Sequence, residues 1–412
     1  MKVLVIGSGG REHAIIDKLN ESKHVTEIFA APGNPGMKEA SLVNIKVTDK
    51  EALLKFAKEN KIDLTVVGPE ASLATGIVDL FRENNLNIFG PTLNAARLET
   101  SKEFAKEIMA KYNVPTASYA SFTNYEEAKK YLISKGAPIV IKYDGLAAGK
   151  GVVVAKTLEE ADNALKDMLI DDKFGSDKVV IEEYLEGPEF SFMCFVDGNN
   201  VYPMDLSQDH KRAYDNDLGP NTGGMGAYSP VPIITQSDKE YAYNNILKKV
   251  ANGMVNEGIP FTGVLYGGLM KTKDGIKVIE FNARFGDPET EVVLPRLESD
   301  LYEVFMNLIN HKEISLKWSD LYCLGIVMAS KGYPDKYEKM HKITGLDKVC
   351  GKVYYMGVDV KDNTYYTNGG RVLFVVEKAK TLLEARNKAL EDIKKIECDN
   401  LFYRTDIAHW SI

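Results

Sequence analysis

Within its first ninety residues this chain alternates short, almost wholly apolar runs with segments of helical character. Residues 3–6, 27–31, 63–67 and 87–89 read as strands, with helices at 11–19 and 50–60. A strand covered on both faces loses the in–out alternation of a half-exposed strand, and a helical crossover joins parallel neighbours. The pattern therefore predicts a parallel sheet with helices on both faces. The run at residues 1–6 is too short for a signal peptide or a membrane span and reads as the first strand.

One core does not grow to 412 residues, so two to four domains are expected. Glu99-Thr100-Ser101 precedes a helical run at 102–111 that stops near Asn113-Val114-Pro115. Residues 119–190 read as a small α+β unit with strands at 138–142, 151–155 and 178–182. Long strands, a Gly/Asn-rich loop at 219–226 and a helix near 239–257 fill residues 190–325. Beyond 324 the sequence suggests strands at 325–329 and 371–376 and a helix at 382–395. A net charge of −8 argues against nucleic acid as a main partner, because phosphate-backbone binding needs a basic footprint. Small anionic ligands stay open. The four cysteines, Cys194, Cys323, Cys350 and Cys398, form no C-x-x-C pair, which fits reduced thiols in a cytoplasm.

Two glycine-rich loops offer anion sites. Gly7-Ser8-Gly9-Gly10-Arg11-Glu12-His13 joins the first strand to the first helix, where unpaired N–H groups and the helix dipole favour negative charge. Glu12 stands where the third glycine of a dinucleotide fingerprint belongs, and the second strand ends in Ala30-Ala31-Pro32-Gly33 without a ribose-binding acid. NAD is therefore not expected. The turn suits a phosphate-bearing small molecule, or is simply tight. Lys142 to Gly151 (K-Y-D-G-L-A-A-G-K-G) is one residue too short for a P-loop and lacks Ser or Thr after Lys150. Strands flank it, so it reads as a glycine hairpin whose N–H groups can close over a triphosphate.

Val278 to Glu289 (V-I-E-F-N-A-R-F-G-D-P-E) starts as a strand of alternating character. Period-two counting puts Val278, Glu280 and Asn282 on one face, with Arg284 next. A carboxylate and a carboxamide two residues apart are the hard oxygen donors that Mg²⁺ prefers.

The order of lysine, glycine hairpin, E-E-Y-L and strand E-x-N resembles the ATP-grasp superfamily. Closer still is the resemblance to its phosphoribosylamine–glycine ligases (glycinamide ribonucleotide synthetases). G-S-G-G-R-E-H, K-x-D-G-L-A-A-G-K-G-V, S-Q-D-H-K-R, G-P-N-T-G-G-M-G-A-Y-S-P, R-F-G-D-P-E, G-G-R-V-L and F-Y-R-x-D-I occur in that order over nearly the whole chain. The resemblance implies an α/β and α+β multidomain fold. Its parts are an N-terminal parallel-sheet domain at 1–100, an ATP-grasp region at 101–310 and a small C-terminal domain at 326–412. Within these bounds a mobile lid would occupy 119–190 and a central domain 191–325. The departures are Tyr143 for a small residue, Glu291 for the usual Gln, the A-Y-D-N-D-L segment at 213–218, and Gly267-Gly268-Leu269-Met270, which supplies no acid for a second metal.

The implied reaction joins glycine to 5-phosphoribosylamine through a glycyl phosphate and yields glycinamide ribonucleotide, ADP and phosphate. Metal ligation falls to Glu280 and Asn282, for Mg²⁺ or Mn²⁺ in its place. The phosphates of ATP fall to Lys102, Lys142, Gly149, Lys150, Gly151 and Arg284. Glu182, Tyr184 and Leu185 would border adenine, with Glu189 on the ribose. Asp209 would take the glycine ammonium, and Arg284 with the Gly286 N–H its carboxylate. Gly9, Gly10 and Arg11, with Glu70, would receive the phosphoribosylamine phosphate. Lys142, Asp209 and Arg284 carry the catalysis in this reading, and His13 and His210 shape the site. A cytoplasmic monomer acting on small molecules, with neither nucleic acid nor membrane as partner, is expected. The rivals are another carboxylate–amine ligase or carboxylase of the superfamily, against which N-T-G-G-M-G speaks, and a non-catalytic ATP sensor. A sensor need not keep Lys142, Glu280, Asn282 and Arg284 together.

Overall fold

The computed structural model describes residues 1–145, 151–171 and 178–412. Its N-terminal sheet is parallel and five-stranded, in the order Ser41–Leu42, Glu27–Pro32, Lys2–Gly7, Leu64–Val67, Ile88–Phe89. Along the first strand Val3 and Val5 enter one apolar core while Leu4 and Ile6 enter another. Both faces are thus covered, as the continuous apolar run requires. The helix Gly10–Asn20 leaves this strand through a turn in which Gly7 has φ +132°. A Cβ at Gly7 would lie 2.3 Å from the Glu12 side chain, and one at Gly68 would lie 2.1 Å from it. Glu12 therefore fills the space that a dinucleotide-binding turn leaves open.

Residues 119–183 form an antiparallel sheet in the order Tyr119–Phe122, Val179–Glu183, Ile139–Tyr143, Val152–Ala155. The helices Tyr125–Lys135 and Leu158–Leu169 cover it, each started by a side-chain cap, Asn124 and Thr157 respectively. Ala128, Leu132, Ile141, Leu165 and Ile181 belong to a core of its own. The next sheet, also antiparallel, runs Asn200–Pro203, Glu189–Asp197, Thr262–Thr272, Gly275–Asn282. The expected helix near 239–257 begins earlier, at Gln236 behind a Thr235 cap, and carries a π turn at Tyr243–Leu247.

A six-stranded sheet closes the molecule. Tyr322–Ser330 and Arg371–Ala379 lie at its centre, Lys352–Tyr355 forms the edge beside the latter, Leu401–Phe402 pairs with the former, and two strands come from far upstream, Gln208–Asp209 and Gly226–Ser229. Asp209 is thereby fixed to the C-terminal sheet. No helix among the described residues is long and apolar enough to cross a membrane.

Candidate active site

The strand Gly275–Asn282 carries an irregularity that aims the site. Gly268 pairs with Glu280 but Leu269 pairs with Val278, so Ile279 is an extra residue. Such a bulge re-aims the side chains around it. Val278 consequently turns into the same core as Phe281 and Ala283, all three at most 3% exposed, instead of sharing the face of Glu280 and Asn282 as simple alternation predicts. The freed Ile279 carbonyl accepts a hydrogen bond from Lys142 Nζ at 2.9 Å.

Glu280 sits among four cations from four parts of the chain. Lys211, Lys142, Lys102 and Arg284 together hold its carboxyl below the usual range, although burial pushes the other way. Lys102 opens the helix Lys102–Lys111 behind a Ser101 cap. Its backbone N–H donates to Asp144 Oδ1 at 2.6 Å and its Nζ to the Gly145 carbonyl at 3.1 Å, tying the helix to the base of the glycine hairpin. Of the expected phosphate-binding residues on that hairpin, Gly149 and Lys150 lie outside the described residues. Gly151 accepts from the Tyr143 N–H at 2.8 Å.

Glu182 faces inward, 3.0 Å from Lys142 and 3.1 Å from Lys106, with all three side chains at most 4% exposed. Its Oε2 is thus committed to lysines while its buried Oε1 has no hydrogen-bond partner among the described residues, and Tyr184 and Leu185 are half-buried just beyond the strand end at Glu183. Lys106 also donates to Thr116 Oγ1 at 2.8 Å, and Thr116 to the Val278 carbonyl. Burial, only partly offset by Glu182, brings the Lys106 ammonium down to about 8.

Lys211 also links Glu280 to a second charged group made of Asp209, Glu189 and Glu289. Burial lifts Asp209 to about 7, with Glu289 and Glu189 pushing the same way and Lys211 opposing. Lys211 bonds Glu189 Oε2 at 2.8 Å. Glu289 Oε1 accepts from Tyr266 at 2.6 Å and from Ser191 at 3.0 Å. Gly286 is buried, and its N–H points at Met193 Sδ, 3.3 Å away, rather than toward Asp209.

Arg284 reaches across to the N-terminal segment, 2.9 Å from Glu99 and 3.4 Å from Glu70, and donates to Asn282 Oδ1 at 3.3 Å. Glu99 also accepts the Ala283 N–H at 2.8 Å. Arg11 is 7% exposed. It bonds Glu12 at 2.6 Å and the Phe285 carbonyl at 3.3 Å, and lies 3.9 Å from Glu70. Glu12 also takes the Gly9 N–H at 2.8 Å. Gly9, Gly10, Arg11 and Glu70 are thus gathered with Arg284, but the guanidinium of Arg11 is already paired.

The G-G-R-V-L motif supplies Arg371, which donates to the Gly223 carbonyl at 2.8 Å and makes a charge contact with Asp287 at 2.8 Å. That contact lacks hydrogen-bond alignment at Asp287 Oδ1. It joins N-T-G-G-M-G to R-F-G-D-P-E. His13 Nδ1 accepts from the Tyr355 N–H and His210 Nε2 from the Ala408 N–H, so both histidines brace backbone. A cavity of about 550 Å³ lined by Asp79, Arg82, Asp197 and His311 holds none of these groups.

Sequence reading missed Lys106, Lys211, Glu99, Tyr266 and Glu289. Lys211 had a signal, since it lies two residues past Asp209 on an extended segment. Glu289 lies within R-F-G-D-P-E itself. Lys106, Glu99 and Tyr266 had none, because their partners are remote in sequence.

With the geometry established, known proteins place the chain. Residues 1–99, 100–290 and 323–410 match the N domain, the ATP-grasp (A) domain and the C domain of phosphoribosylglycinamide synthetase. A phosphoribosylamine–glycine ligase of Halalkalibacterium halodurans is 54% identical, over 100% of this chain and 97% of its own length. The crystal structure of the Thermotoga maritima phosphoribosylamine–glycine ligase superposes with a TM-score of 0.88 at 35% identity, covering 99% of this chain and 100% of that one. The biotin carboxylase domain of a Hydrogenobacter thermophilus 2-oxoglutarate carboxylase, a complex with MgADP, shares the fold with a TM-score of 0.75 at 17% identity over 98% and 91% of the two chains. The chain belongs to the phosphoribosylglycinamide synthetase family.

Proposed function

We infer that this chain joins glycine to 5-phosphoribosylamine with ATP, giving glycinamide ribonucleotide, ADP and phosphate in purine biosynthesis. A free carboxylate is a poor acyl donor, because oxide would have to leave. Attack of a glycine carboxylate oxygen on the γ-phosphorus expels ADP and gives glycyl phosphate. The ribosylamine nitrogen then attacks the acyl carbon, phosphate departs, and the nitrogen loses a proton. The protein's task is to neutralise charge, position the reactants and exclude water.

The convergence of Lys102, Lys142, Lys211 and Arg284 on Glu280 carries the reading of the site. A cluster of that sign suits polyphosphate. Glu280 and Asn282 present two half-buried oxygen donors on one face, which fits Mg²⁺ or Mn²⁺. Bound there, the metal would offset charge on the transferring phosphoryl group. Lys142 and Arg284 hold the phosphoryl and carboxylate oxygens, and Asp209 holds the glycine ammonium. Backbone at Tyr184 and Leu185 borders adenine, with Glu189 on the ribose. Gly9, Gly10, Arg11 and Glu70 serve the phosphoribosylamine. Residues 1–100 supply that acceptor side, 119–190 close as a lid over 191–325, and 326–412 brace the Asp209 strand. The chain works as a cytoplasmic monomer on small molecules alone.

Phosphate release from ATP tests the reaction. Turnover should require glycine and rise when ribosylamine is generated in the same vessel. ATP binding without any glycine-dependent phosphate would favour a sensor, and bicarbonate-dependent release would favour a carboxylase.

A further inference from the structure

Beside the Gly9–Gly10 turn lies a carboxyl that the reaction above leaves unused. Glu291 is 0% exposed, and neither of its carboxylate oxygens has a hydrogen-bond partner among the described residues. It stands in the one-turn helix Thr290–Val293 just after R-F-G-D-P-E. A Cβ at Gly10 would meet its Oε1 at 2.6 Å and Met356 at 3.1 Å, so the carboxyl fills the space that a side chain on the first residue of the helix Gly10–Asn20 would need.

The charged and titratable groups facing Glu291 come from four segments around it, while the strands Gly226–Ser229 and Tyr322–Ser330 packed against its helix supply none. Asp287 faces it from the preceding loop, Arg371 from the strand Arg371–Ala379, Arg11 from the first helix and Tyr354 from the strand Lys352–Tyr355. None donates a hydrogen bond to it. Arg371 is engaged by Asp287 and the Gly223 carbonyl, and Arg11 by Glu12 and the Phe285 carbonyl. The Gly9 N–H at the helix start is taken by Glu12. A carboxylate with two bare oxygens in such a place carries an uncompensated desolvation penalty. A proton removes the charge. Burial first, then Asp287, push the group in that direction, with Arg371 opposing.

We propose that Glu291 is a positioning residue that works as a neutral carboxylic acid, so that the Gly9–Gly10 turn stays seated beside Asp287. Its consequence for catalysis rests on the assignment of that turn to phosphoribosylamine. Loss of the proton places a second negative charge beside Asp287 and pushes the turn out of register with Arg284 and Glu70. The acceptor side then weakens while the nucleotide side stays as it was.

The sign of the pH effect is fixed. The unfolded chain releases this proton near pH 4.3 and the folded protein retains it to higher pH, so Glu291 lowers stability progressively as pH rises between those two points. Glu291→Gln removes that slope. Thermal unfolding of the wild type and of E291Q, compared from pH 5 to pH 9, should show a difference in Tm that grows with pH in favour of the variant. Glu291→Met, also uncharged, serves should Gln not fold. A difference that stays flat with pH overturns the proposal whatever the kinetics show. In the same pH series the wild-type KM for 5-phosphoribosylamine should rise about threefold or more, that for ATP should hold, and the rise should vanish in E291Q. A growing Tm difference without a KM change for phosphoribosylamine would leave the proton in place and overturn the assignment of the turn to that substrate.

Discussion

Glu280 and Asn282 were legible as a pair because their relation is local: two strand residues with one between them share a face. The bulge at Ile279 preserves that relation and breaks only the link to Val278. The cations around them were less legible, since Lys106 owes its place to Glu182 and Thr116, neither of which is near it along the strand or helix pattern. Glu280→Gln or Asn282→Ala should raise the Mg²⁺ requirement and depress turnover by about two to four decades, since metal neutralisation of transferring charge is worth several kcal/mol. Near-normal rates at low Mg²⁺ in both variants would sink the assignment. Asp209 gives a pH test. Its carboxyl ionises only near pH 7, and an ammonium is held best by the ionised form. The KM for glycine should therefore fall as pH rises from 6 to 8, and that trend should disappear in Asp209→Asn. A glycine KM with the same pH dependence in both proteins would remove Asp209 from this role.

At the level of elements the strands and helices assigned in the first ninety residues lie within about a residue of where they were read, because apolar runs and caps are written locally, whereas the short helices Glu70–Leu73 and Ile77–Glu83 were missed. The helix Lys102–Lys111 matches its expected span, and its Ser101 cap was visible as Glu99-Thr100-Ser101. Two further features show why local reading falls short. The two-residue strand Ser41–Leu42 is too short for a pattern. The recruitment of Gln208–Asp209 and Gly226–Ser229 into the C-terminal sheet is a pairing across about a hundred residues that no local period encodes. The antiparallel unit at 119–183 has a core separate from the rest, the physical condition for moving as one body. With a non-hydrolysable ATP analogue its strands Tyr119–Phe122, Ile139–Tyr143, Val152–Ala155 and Val179–Glu183 should exchange amide hydrogens more slowly than without it. Closure over the phosphates would shield them. Equal protection in both states would show that these residues are not a lid.

Over the whole molecule, charge contacts between distant segments join the parts. Glu70 and Glu99 meet Arg284, Arg11 meets the Phe285 carbonyl, and Arg371 joins Gly223 to Asp287. Arg11 and Arg371 reach R-F-G-D-P-E from elsewhere in the chain, and Arg284 is its first residue. Arg11 is the test of how the N-terminal sheet enters the reaction. It was expected to face a phosphate, yet its guanidinium lies buried against Glu12. Arg11→Ala therefore has two consequences of different origin. It strands the Glu12 carboxylate, which is 2% exposed, so Tm should drop. Breaking such a buried pair costs about 3–5 kcal/mol. It also loosens Glu70 and the Phe285 carbonyl, so the KM for 5-phosphoribosylamine should rise while those for ATP and glycine change little. Arg11→Lys, which retains the charge but not the fork of donors, should recover most of the stability and little of the affinity. If the ATP constant rises and the ribosylamine constant does not, the turn at Gly9–Gly10 serves the nucleotide, and the acceptor must enter elsewhere.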